Sequence, residues 1–518
     1  MEKWLTQRNA VLVVLAATLW RLHLAAALQL HPDEAYYWLW SRQLDIGYFD
    51  HPPMVAYFIW LSTLFSKSEL WVRLSGPLVV VVMSGLLWRL ALQIYKSVPL
   101  AAGSVILFNV FPLTLMGLVV VTPDTPVLLF WSLSVYSFWQ VIQRQRPWAW
   151  YALGLAFGLA LLSKYTAILM VPSFLLYLLL TEDRRWLKTV HPYLALLLGF
   201  ACFLPVVIWN SRHDWISFTF QSRNGLGGDN LDAVQVAEYI AGQMLISGPV
   251  AWLLGIVATV AVLSRKAGTV HGTVPGTMRK ETLFLVCAAV PVILFFAVSS
   301  FRKTANPNWP AFAYFSFSLL VTHYCLEGYS KLRRSLWSAA VASSLALSLV
   351  ATLHARFSIL PLASHSQALA DADFTNWFYG WRELGEELKQ HADYKFAISP
   401  SHQLGAQIIY YTDGSLSAQT ARLSRLSQFD MWHASLTTNG KDGLYVWTPA
   451  DNVGPDGRDF PARAVSQTFN AYREGRVVRS YQIFAGKLTD FPPDTPLPGA
   501  AQLLTQRGAK GSDGSVVR

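Results

Sequence analysis

Long apolar stretches separated by short polar segments fill the first 360 residues of the chain. A helix that crosses a bilayer needs about 20 mostly apolar residues, because every backbone polar group must be satisfied within the hydrocarbon. The spacing predicts about eleven membrane-spanning helices, centred near residues 20, 83, 108, 133, 156, 173, 200, 250, 291, 317 and 344. The apolar segment 52–65 is too short to span, which favours an interfacial helix.

The first apolar stretch begins after Arg8 and continues to about Leu30, where it meets His31-Pro32-Asp33-Glu34. This junction lacks the small residues of a signal-peptide cleavage site. We therefore predict an uncleaved first span, with short interfacial helices in the polar loop that follows it.

A different composition begins near residue 365 and predicts a small α/β domain. Residues 381–388 have helical spacing, and Ile408–Thr412 and Gly443–Trp447 are short runs typical of strands. We expect a membrane domain over residues 1–360, a soluble domain over 361–495 and a disordered tail over 496–518, which is rich in Gly, Ser and Gln. The predicted fold class is thus an all-α polytopic membrane protein with a small C-terminal α/β domain.

Composition supports a membrane protein: 53% of the 518 residues are hydrophobic and only 14% are charged, whereas soluble proteins carry about 25% charged residues. The net charge of +10 does not require nucleic acid, because basic residues collect in cytoplasmic loops. We predict no nucleic-acid partner. The three cysteines lie in apolar runs and form no disulfide framework or metal-binding spacing.

Basic residues in alternate loops predict the orientation, because the loops that remain in the cytoplasm carry more of them. One set of loops has sixteen: Lys3, Arg8, Arg89, Lys96, Arg144, Arg146, Arg184, Arg185, Lys188, Arg265, Lys266, Arg279, Lys280, Lys331, Arg333 and Arg334. The other set has eight: Arg42, Lys67, Arg73, Lys164, Arg212, Arg223, Arg302 and Lys303. We predict a cytoplasmic N-terminus and, with an odd number of spans, a periplasmic C-terminal domain in a bacterial inner membrane.

Two acidic clusters lie in the first outer loop, at Asp33-Glu34 and at Asp50-His51 before two prolines. Two interpretations are open for each cluster. The acids are either functional or simply begin a helix, where carboxylates are favoured by the dipole and unpaired N–H groups and where proline is accepted in the first turn.

Further polar residues occur where apolar stretches end on the same predicted face. Asp124 is either a helix cap or a functional acid, and Lys164 either extends to the interface or has a functional role. Arg302-Lys303 is either a polar turn or a pair of functional cations. Arg21 lies inside the first span and needs a partner or a route to water, and its role stays open.

Together these residues place carboxylates and cations at one membrane level. Transfer of a sugar from a lipid phosphate needs such a set, because a base removes the proton of the incoming hydroxyl and cations hold the departing phosphate. A lipid carrier also explains why the groups gather at an interface.

The run His31-Pro-Asp-Glu-Ala-Tyr-Tyr-Trp and the later Tyr48-Phe-Asp-His-Pro-Pro resemble the first-loop signature of glycosyltransferase family 39, in its bacterial branch of dolichyl-phosphate-mannose-protein mannosyltransferase-like proteins. The resemblance is close in this loop. It is looser through Thr122-Pro123-Asp124, Ser163-Lys164 and Arg302-Lys303. It implies the GT-C fold and an inverting transfer from a polyprenyl monophosphate sugar on the periplasmic side.

Carried over by position, the resemblance implies that Asp33 is the general base and that Glu34 supports the loop. The substrate-binding residues that it implies are Tyr36, Tyr48, Asp50, His51, Asp124, Lys164, Arg302, Lys303 and Asn306. Among these, His51, Lys164, Arg302 and Lys303 are expected to contact phosphate, and Asp50 and Asp124 to shape a sugar or acceptor pocket.

One departure affects the phosphate contacts. The aminoarabinose transferases of that group carry Glu-Lys before the two prolines, whereas this chain has Asp50-His51. A neutral histidine is a weaker phosphate partner than lysine, so the donor sugar is open. Some relatives bind a divalent metal near this loop, but one histidine beside carboxylates does not establish a site. We predict no obligatory metal.

The sequence therefore predicts an inverting glycosyltransferase with a polyprenyl-phosphate sugar as donor and a cell-envelope lipid or glycan as acceptor. Lipid A or lipopolysaccharide core is favoured over a protein hydroxyl. A lipid-linked sugar transporter and a non-catalytic scaffold are the alternatives from other classes. Transporters are expected to carry charges near the bilayer midplane and two related halves.

Overall fold

Helices follow one another through residues 7–357 of the computed structural model. The structure describes residues 4–226, 232–264, 277–327, 330–362, 369–370, 372–420, 425–433, 441–447 and 465–487. In chain order the helices of this part are α1 Gln7–Ala27, α2 Pro32–Arg42, α3 Met54–Ser62, α4 Glu69–Arg73, α5 Ser75–Tyr95, α6 Val98–Val110, α7 Pro112–Leu115, α8 Asp124–Arg144, α9 Trp148–Leu161, α10 Met170–Leu180, α11 His191–Arg212, α12 Ile216–Leu226, α13 Ala233–Ser247, α14 Pro249–Ser264, α15 Thr277–Ser299, α16 Tyr314–Leu326 and α17 Lys331–Phe357. Short 3₁₀ turns occur at Gly117–Val119, Tyr165–Leu169, Glu182–Lys188 and Ala311–Ala313.

By length and composition, six helices in the described residues are able to cross a membrane: Gln7–Ala27, Glu69–Tyr95, Asp124–Arg144, His191–Arg212, Lys280–Ser299 and Lys331–Phe357. Three bent pairs raise this number to as many as nine: Val98–Val110 with Pro112–Val119, Tyr165–Leu180 with Glu182–Lys188, and Ala233–Ser247 with Pro249–Ser264. Two further apolar helices, Trp148–Leu161 and Ala311–Leu326, are shorter. The eleven predicted centres all fall within these segments. A multi-pass membrane protein is confirmed, but the count of eleven spans is not.

Local sequence explains two of the bends. Pro112 is the first residue of α7, two residues after the end of α6. The chain turns by 66° at this break, because proline lacks an N–H and clashes with a preceding turn. Between α13 and α14 the chain turns by 106°. There Gly248 takes a positive φ of 89° and Pro249 follows it.

Arg21 lies in α1 and is fully buried. Its Nε donates to the carbonyl of Thr114 at 2.7 Å, and its Nη2 donates to the carbonyl and the side-chain oxygen of Asn109 at 3.3 and 3.2 Å. Both residues flank the break between α6 and α7, where carbonyls lose their helical partners. Arg21 therefore satisfies backbone groups at a broken span.

Small residues bring α9 and α11 close together. A Cβ at Gly154 would lie 2.8 Å from the Cα of Ala195, and a Cβ at Gly158 would lie 2.6 Å from the Cβ of Cys202. Membrane helices pack tightly through such small residues, since lipid gives them no hydrophobic drive to associate. The packed helix α9 ends at Leu161, three residues before Lys164.

Contacts divide the chain into two compact units. Unit 1 comprises residues 1–26, 51–208 and 221–352, and unit 2 comprises residues 27–50, 209–220 and 353–518. The first polar loop, with α2, thus belongs to the same unit as the C-terminal residues.

Unit 2 contains a mixed five-stranded sheet with the order β2-β1-β3-β5-β4. Its strands are β1 Phe396–Ser399, β2 Ser417–Thr420, β3 Asp442–Trp447, β4 Val465–Arg473 and β5 Arg476–Lys487. Besides α2, unit 2 contains the helices α18 Trp381–Lys389, α19 His402–Tyr411 and α20 Gln428–His433. Strand β1 pairs parallel with β2 and β3, and β5 pairs antiparallel with β3 and β4. The β4–β5 turn is formed by Glu474 and Gly475, both with positive φ, which suits a tight hairpin.

The predicted helix at 381–388 and the predicted strand at Gly443–Trp447 are confirmed. The predicted strand at Ile408–Thr412 is wrong, because these residues form the last turn and the C-cap of α19. The side chains of Leu404, Ile408 and Tyr411 are buried at helical spacing, which the short apolar run obscured. The predicted tail at 496–518 lies outside the described residues.

We predict that Arg21→Met destabilises the protein by about 1–3 kcal/mol, because the carbonyls of Thr114 and Asn109 lose their donors in a buried site. Thermal unfolding in detergent, followed by tryptophan fluorescence, measures the effect. Arg8→Met is the matched control, since Arg8 is an exposed residue of the same helix. Equal unfolding midpoints for the two variants would contradict the role of Arg21.

Candidate functional site

The start of α2 separates the roles of Asp33 and Glu34. The His31 side chain caps the helix by accepting from the Asp33 N–H at 3.2 Å, and Glu34 accepts from the His31 N–H at 2.9 Å. Glu34 is fully buried in this capping box. Asp33 keeps 39% of its side chain exposed and accepts one hydrogen bond from Gln403 Nε2 at 3.3 Å. Glu34 thus supports the loop, while the Asp33 carboxylate is open to solvent.

Asp50 is buried in unit 2, with only 4% of its surface exposed. Its Oδ1 lies 2.6 Å from Arg425 Nη1, and its Oδ2 accepts from the Tyr36 hydroxyl at 2.7 Å. The second arm of Arg425 donates to His402 Nε2 at 2.9 Å. Asp50 does not cap α3, whose N-cap is Pro53.

Electrostatics keep the groups around Asp50 in defined protonation states. Burial, followed by the positive charge of Arg425, lowers the pKa of His402 to about 4, so its Nε2 accepts at neutral pH. Burial, followed by the negative charge of Asp50, raises the pKa of Tyr36 well above its usual range. Tyr36 therefore remains a proton donor to Asp50.

Tyr36 and Tyr48, both predicted to bind substrate, are engaged with the protein itself. Tyr36 is 2% exposed and its oxygen accepts from the Gln428 N–H at 2.6 Å. Tyr48 is fully buried and stacks on Trp40 with 4.3 Å between ring centroids. Its hydroxyl bonds to backbone groups, including the Trp40 carbonyl at 3.0 Å. In this structure both side chains hold the first loop.

A second polar cluster lies in unit 1. Lys164 Nζ contacts Asp124 Oδ1 at 2.6 Å, with each side chain only 10% exposed. Asn308 Nδ2 donates to the other carboxylate oxygen of Asp124 at 2.7 Å. The Asp124 side chain caps no helix, and Lys164 is buried in an ion pair instead of extending to an interface.

His51 also belongs to unit 1, where its Nδ1 lies 3.4 Å from Gln221 Nε2. Three residues later, the Met54 N–H donates to the carbonyl of Leu162 at 3.0 Å. This bond ties the start of α3 to the end of α9, two residues before Lys164.

The remaining predicted residues lie on the turns after α15. The N–H groups of Arg302 and Lys303 bond to the Ser299 carbonyl at 3.0 and 3.2 Å. Arg302 and Asn306 are exposed, and Lys303 is half-buried. Their predicted contacts with substrate stay predictions.

Sequence reasoning missed the partners of the acids. It did not single out Asn308, whose amide is bonded to Asp124, and the predicted substrate contact of Asn306 stays a prediction. The residue before Asn308 is held in place by α13. Pro307 packs on Gly242, and its carbonyl accepts from Gln243 Nε2 at 3.1 Å. Arg425, His402 and Gln403 carried no local signal, since they lie in ordinary polar segments far along the chain.

The described residues contain no cluster of three or more His, Cys, Asp or Glu side chains able to hold a metal ion. They do offer an exposed carboxylate suited to accept a proton, in unit 2, and a buried ammonium group suited to hold an anion, in unit 1. Lys164 has two further N–H donors beyond the one aimed at Asp124.

Comparison with known proteins gives a family and two curated relatives. The family model for dolichyl-phosphate-mannose-protein mannosyltransferase matches residues 50–209. The lipid A galacturonosyltransferase RgtD of Rhizobium johnstonii is 26% identical over 358 residues, 66% of this chain and 71% of that protein. The undecaprenyl phosphate-alpha-4-amino-4-deoxy-L-arabinose arabinosyl transferase of Photorhabdus laumondii subsp. laumondii is 26% identical over 313 residues, 54% of this chain and 52% of that protein.

A solved structure shows the fold. ArnT from Cupriavidus metallidurans bound to undecaprenyl phosphate matches with a TM-score of 0.64 and 14% identity, over 92% of this chain and 97% of that chain. The predicted GT-C architecture with a small C-terminal sheet is confirmed by this match.

We predict that Lys164→Met destabilises the protein by about 3–5 kcal/mol, because the Asp124 carboxylate is left without its cation in a buried site. The double variant Asp124→Asn with Lys164→Met is expected to recover most of the loss, since it removes both charges and keeps the contact of Asn308. Heat denaturation of the purified variants checks this. Additive losses in the double variant would show that the two side chains do not form a pair.

We predict that His402 makes the protein less stable as the pH falls from about 6.5 to about 4. Over this range the unfolded chain binds a proton at His402 and the folded chain does not, a difference of at most about 3 kcal/mol. His402 faces Arg425, Asp50, Asp33 and Tyr36. His402→Gln keeps an acceptor for Arg425 but cannot take up a proton, so its unfolding midpoint is expected to fall less over this pH range. Parallel curves for the two proteins would rule the effect out.

Proposed function

We propose that the chain is a membrane glycosyltransferase that moves a sugar from a polyprenyl phosphate to lipid A. The proposal starts from the match of residues 50–209 to the family model for dolichyl-phosphate-mannose-protein mannosyltransferase. The predicted resemblance to this family is confirmed by the match. The observation that carries the proposal is the carboxylate of Asp33, which is held by Gln403 yet partly exposed at the start of a capped helix.

The reaction follows from these groups. Asp33 removes the proton of the acceptor hydroxyl as its oxygen attacks the anomeric carbon of the donor sugar. The bond between that carbon and the phosphate oxygen breaks, and polyprenyl phosphate leaves with the electron pair. Attack opposite to the leaving group inverts the anomeric centre. Cations near the phosphate lower the barrier because negative charge grows there.

The phosphate contacts are assigned to the cationic side chains of unit 1. Asp124 and Asn308 orient Lys164, whose ammonium group retains donors for phosphate oxygens. Arg302 and Lys303 supply further positive charge from their turn. His51 is a hydrogen-bonding group and is assigned to the sugar-phosphate. Asn306 has an exposed amide and is assigned to the acceptor.

Relatives support the substrate classes. RgtD is named for the transfer of galacturonic acid to lipid A, and the Photorhabdus relative for a sugar carried on undecaprenyl phosphate. We infer the same classes here, a polyprenyl monophosphate sugar as donor and lipid A as acceptor, with the individual sugar open.

The cellular location follows from the donor and from charge. We propose that the protein lies in the bacterial inner membrane, with its N-terminus in the cytoplasm and its C-terminal residues in the periplasm. The distribution of sixteen against eight basic residues between alternate loops supports this orientation.

A transporter of lipid-linked sugars is disfavoured by the state of Arg21, the charge that lies inside the first span. Its guanidinium bonds to backbone carbonyls at a helix break in unit 1. The structure thus gives this charge a role in holding the fold, whereas the intramembrane charges of transporters typically mark a substrate or ion pathway.

We predict that Asp33→Asn lowers the turnover number about 10²–10⁴-fold, because a general base contributes that much and an amide cannot accept the proton. The purified protein in vesicles with lipid A and a polyprenyl-phosphate sugar is assayed by mass spectrometry of the lipid. Detection of sugar-modified lipid A in vesicles that contain the wild-type protein would support the proposal.

Asp413→Asn is the matched control, since Asp413 is 83% exposed in a surface pair with Lys389. This control is expected to transfer sugar at the wild-type rate. Near-normal transfer by Asp33→Asn would show that Asp33 is not the base, and movement of the intact donor across the vesicle without transfer would favour a transporter.

A further inference from the structure

The segment that begins at Arg425 is fastened to the first loop at three points within unit 2. Arg425 Nη1 contacts Asp50 Oδ1 at 2.6 Å. The Gln428 N–H donates to the Tyr36 hydroxyl at 2.6 Å, and Gln428 Oε1 accepts from the Phe49 N–H at 2.7 Å. Residues about 380 positions apart in sequence are therefore held together by polar contacts, of which the two made by Gln428 are buried.

Two routes lead from Arg425 to Asp33. The first runs through Asp50 to Tyr36, which lies three residues after Asp33 on α2 and so shares its side of the helix. The second runs through α19, where His402 accepts from Arg425 Nη2 at 2.9 Å and the next residue, Gln403, donates to Asp33 Oδ1 at 3.3 Å. The Tyr36 and His402 rings also touch, with centroids 4.5 Å apart.

Resting on the proposed function, we propose that Arg425 is a positioning residue that sets the orientation of the general base Asp33 from the C-terminal part of the chain. The Arg425 guanidinium does not need to touch substrate, because one arm is bound to Asp50, the other to His402, and it lies 5.0 Å from the Phe220 ring centre. The planar fork of arginine makes both contacts at fixed angles, and a lysine makes only one.

A residue that positions the base affects the turnover number, whereas a residue that only stabilises the fold affects the unfolding midpoint. Reacting groups must be held close and aligned, and a misplacement of about 1 Å in a catalytic group costs up to about 10²-fold in rate. Loss of Arg425 therefore lowers the turnover number and leaves binding of the lipid donor largely unchanged.

The test compares Arg425→Ala and Arg425→Lys with the wild type in the vesicle transfer assay. Arg425→Ala is expected to lower kcat at least about tenfold, with the KM for the polyprenyl-phosphate sugar within about twofold. Arg425→Lys, which keeps the charge beside Asp50 but loses the arm to His402, is expected to fall between the two. Because the Arg425 side chain is 39% exposed, millimolar guanidinium ion is expected to restore part of the activity of Arg425→Ala.

Arg476→Ala is the matched control, since Arg476 is an exposed arginine at the β4–β5 turn of the same unit. It is expected to keep wild-type kcat and to show no response to guanidinium. Unfolding midpoints are measured for every variant. Should Arg425→Ala fail to fold, Arg425→Lys carries the test.

Several results would overturn the inference. One is a wild-type kcat for both Arg425→Lys and Arg425→Ala when both variants are folded. Another is a rise in KM alone, which would make Arg425 a substrate contact. A third is loss of activity that tracks the unfolding midpoint without rescue, which would make its role structural. Absence of transfer by the wild type would instead overturn the proposed function, and this inference with it.

Discussion

A carboxylate leaves water only where donors replace its hydration, and this constraint places the acids of the protein. Burying an unpaired charge costs several kcal/mol or more. Asp50 in unit 2 takes Arg425 and the Tyr36 hydroxyl, and Asp124 in unit 1 takes Lys164 and Asn308. Each acid thus receives one cation and at least one neutral donor, and each cation comes from a distant part of the sequence.

The same constraint acts on the backbone where helices break. The chain bends after α6, and the carbonyls of Asn109 and Thr114 accept from the buried Arg21. A break of this kind in a membrane protein is stable only where side chains or neighbouring helices satisfy the freed groups. Arg21 is therefore better understood as a part of the fold than as a charge awaiting a ligand.

The hydrophobic pattern predicted much of the architecture, since every predicted span centre falls in a helix. The sequence also drew attention to the acidic residues of the first loop and to Asp124. The hydrophobic pattern could not decide whether two bent helices form one membrane span or two. The 106° turn at Gly248 arises from the local freedom of a glycine backbone, which hydrophobicity does not report. Nor could the pattern find Arg425, Gln403 or Asn308, since their role depends on which distant carboxylate the fold brings to them. The prediction of a strand at Ile408 was wrong because a run of four apolar residues fits the periodicity of a helix as well as that of a strand.

The contrast between the acids is informative about mechanism. Asp50 is bound by Arg425 and Tyr36, and Asp124 by Lys164 and Asn308, so both carboxylates are engaged with buried protein partners. Among the described residues Asp33 accepts from one neutral amide, that of Gln403, and keeps 39% of its side chain exposed. A base has to meet a hydroxyl, take its proton and release it again. Asp33 meets the first requirement of the proposed mechanism, because its neighbours are held by hydrogen bonds while its own carboxylate stays accessible.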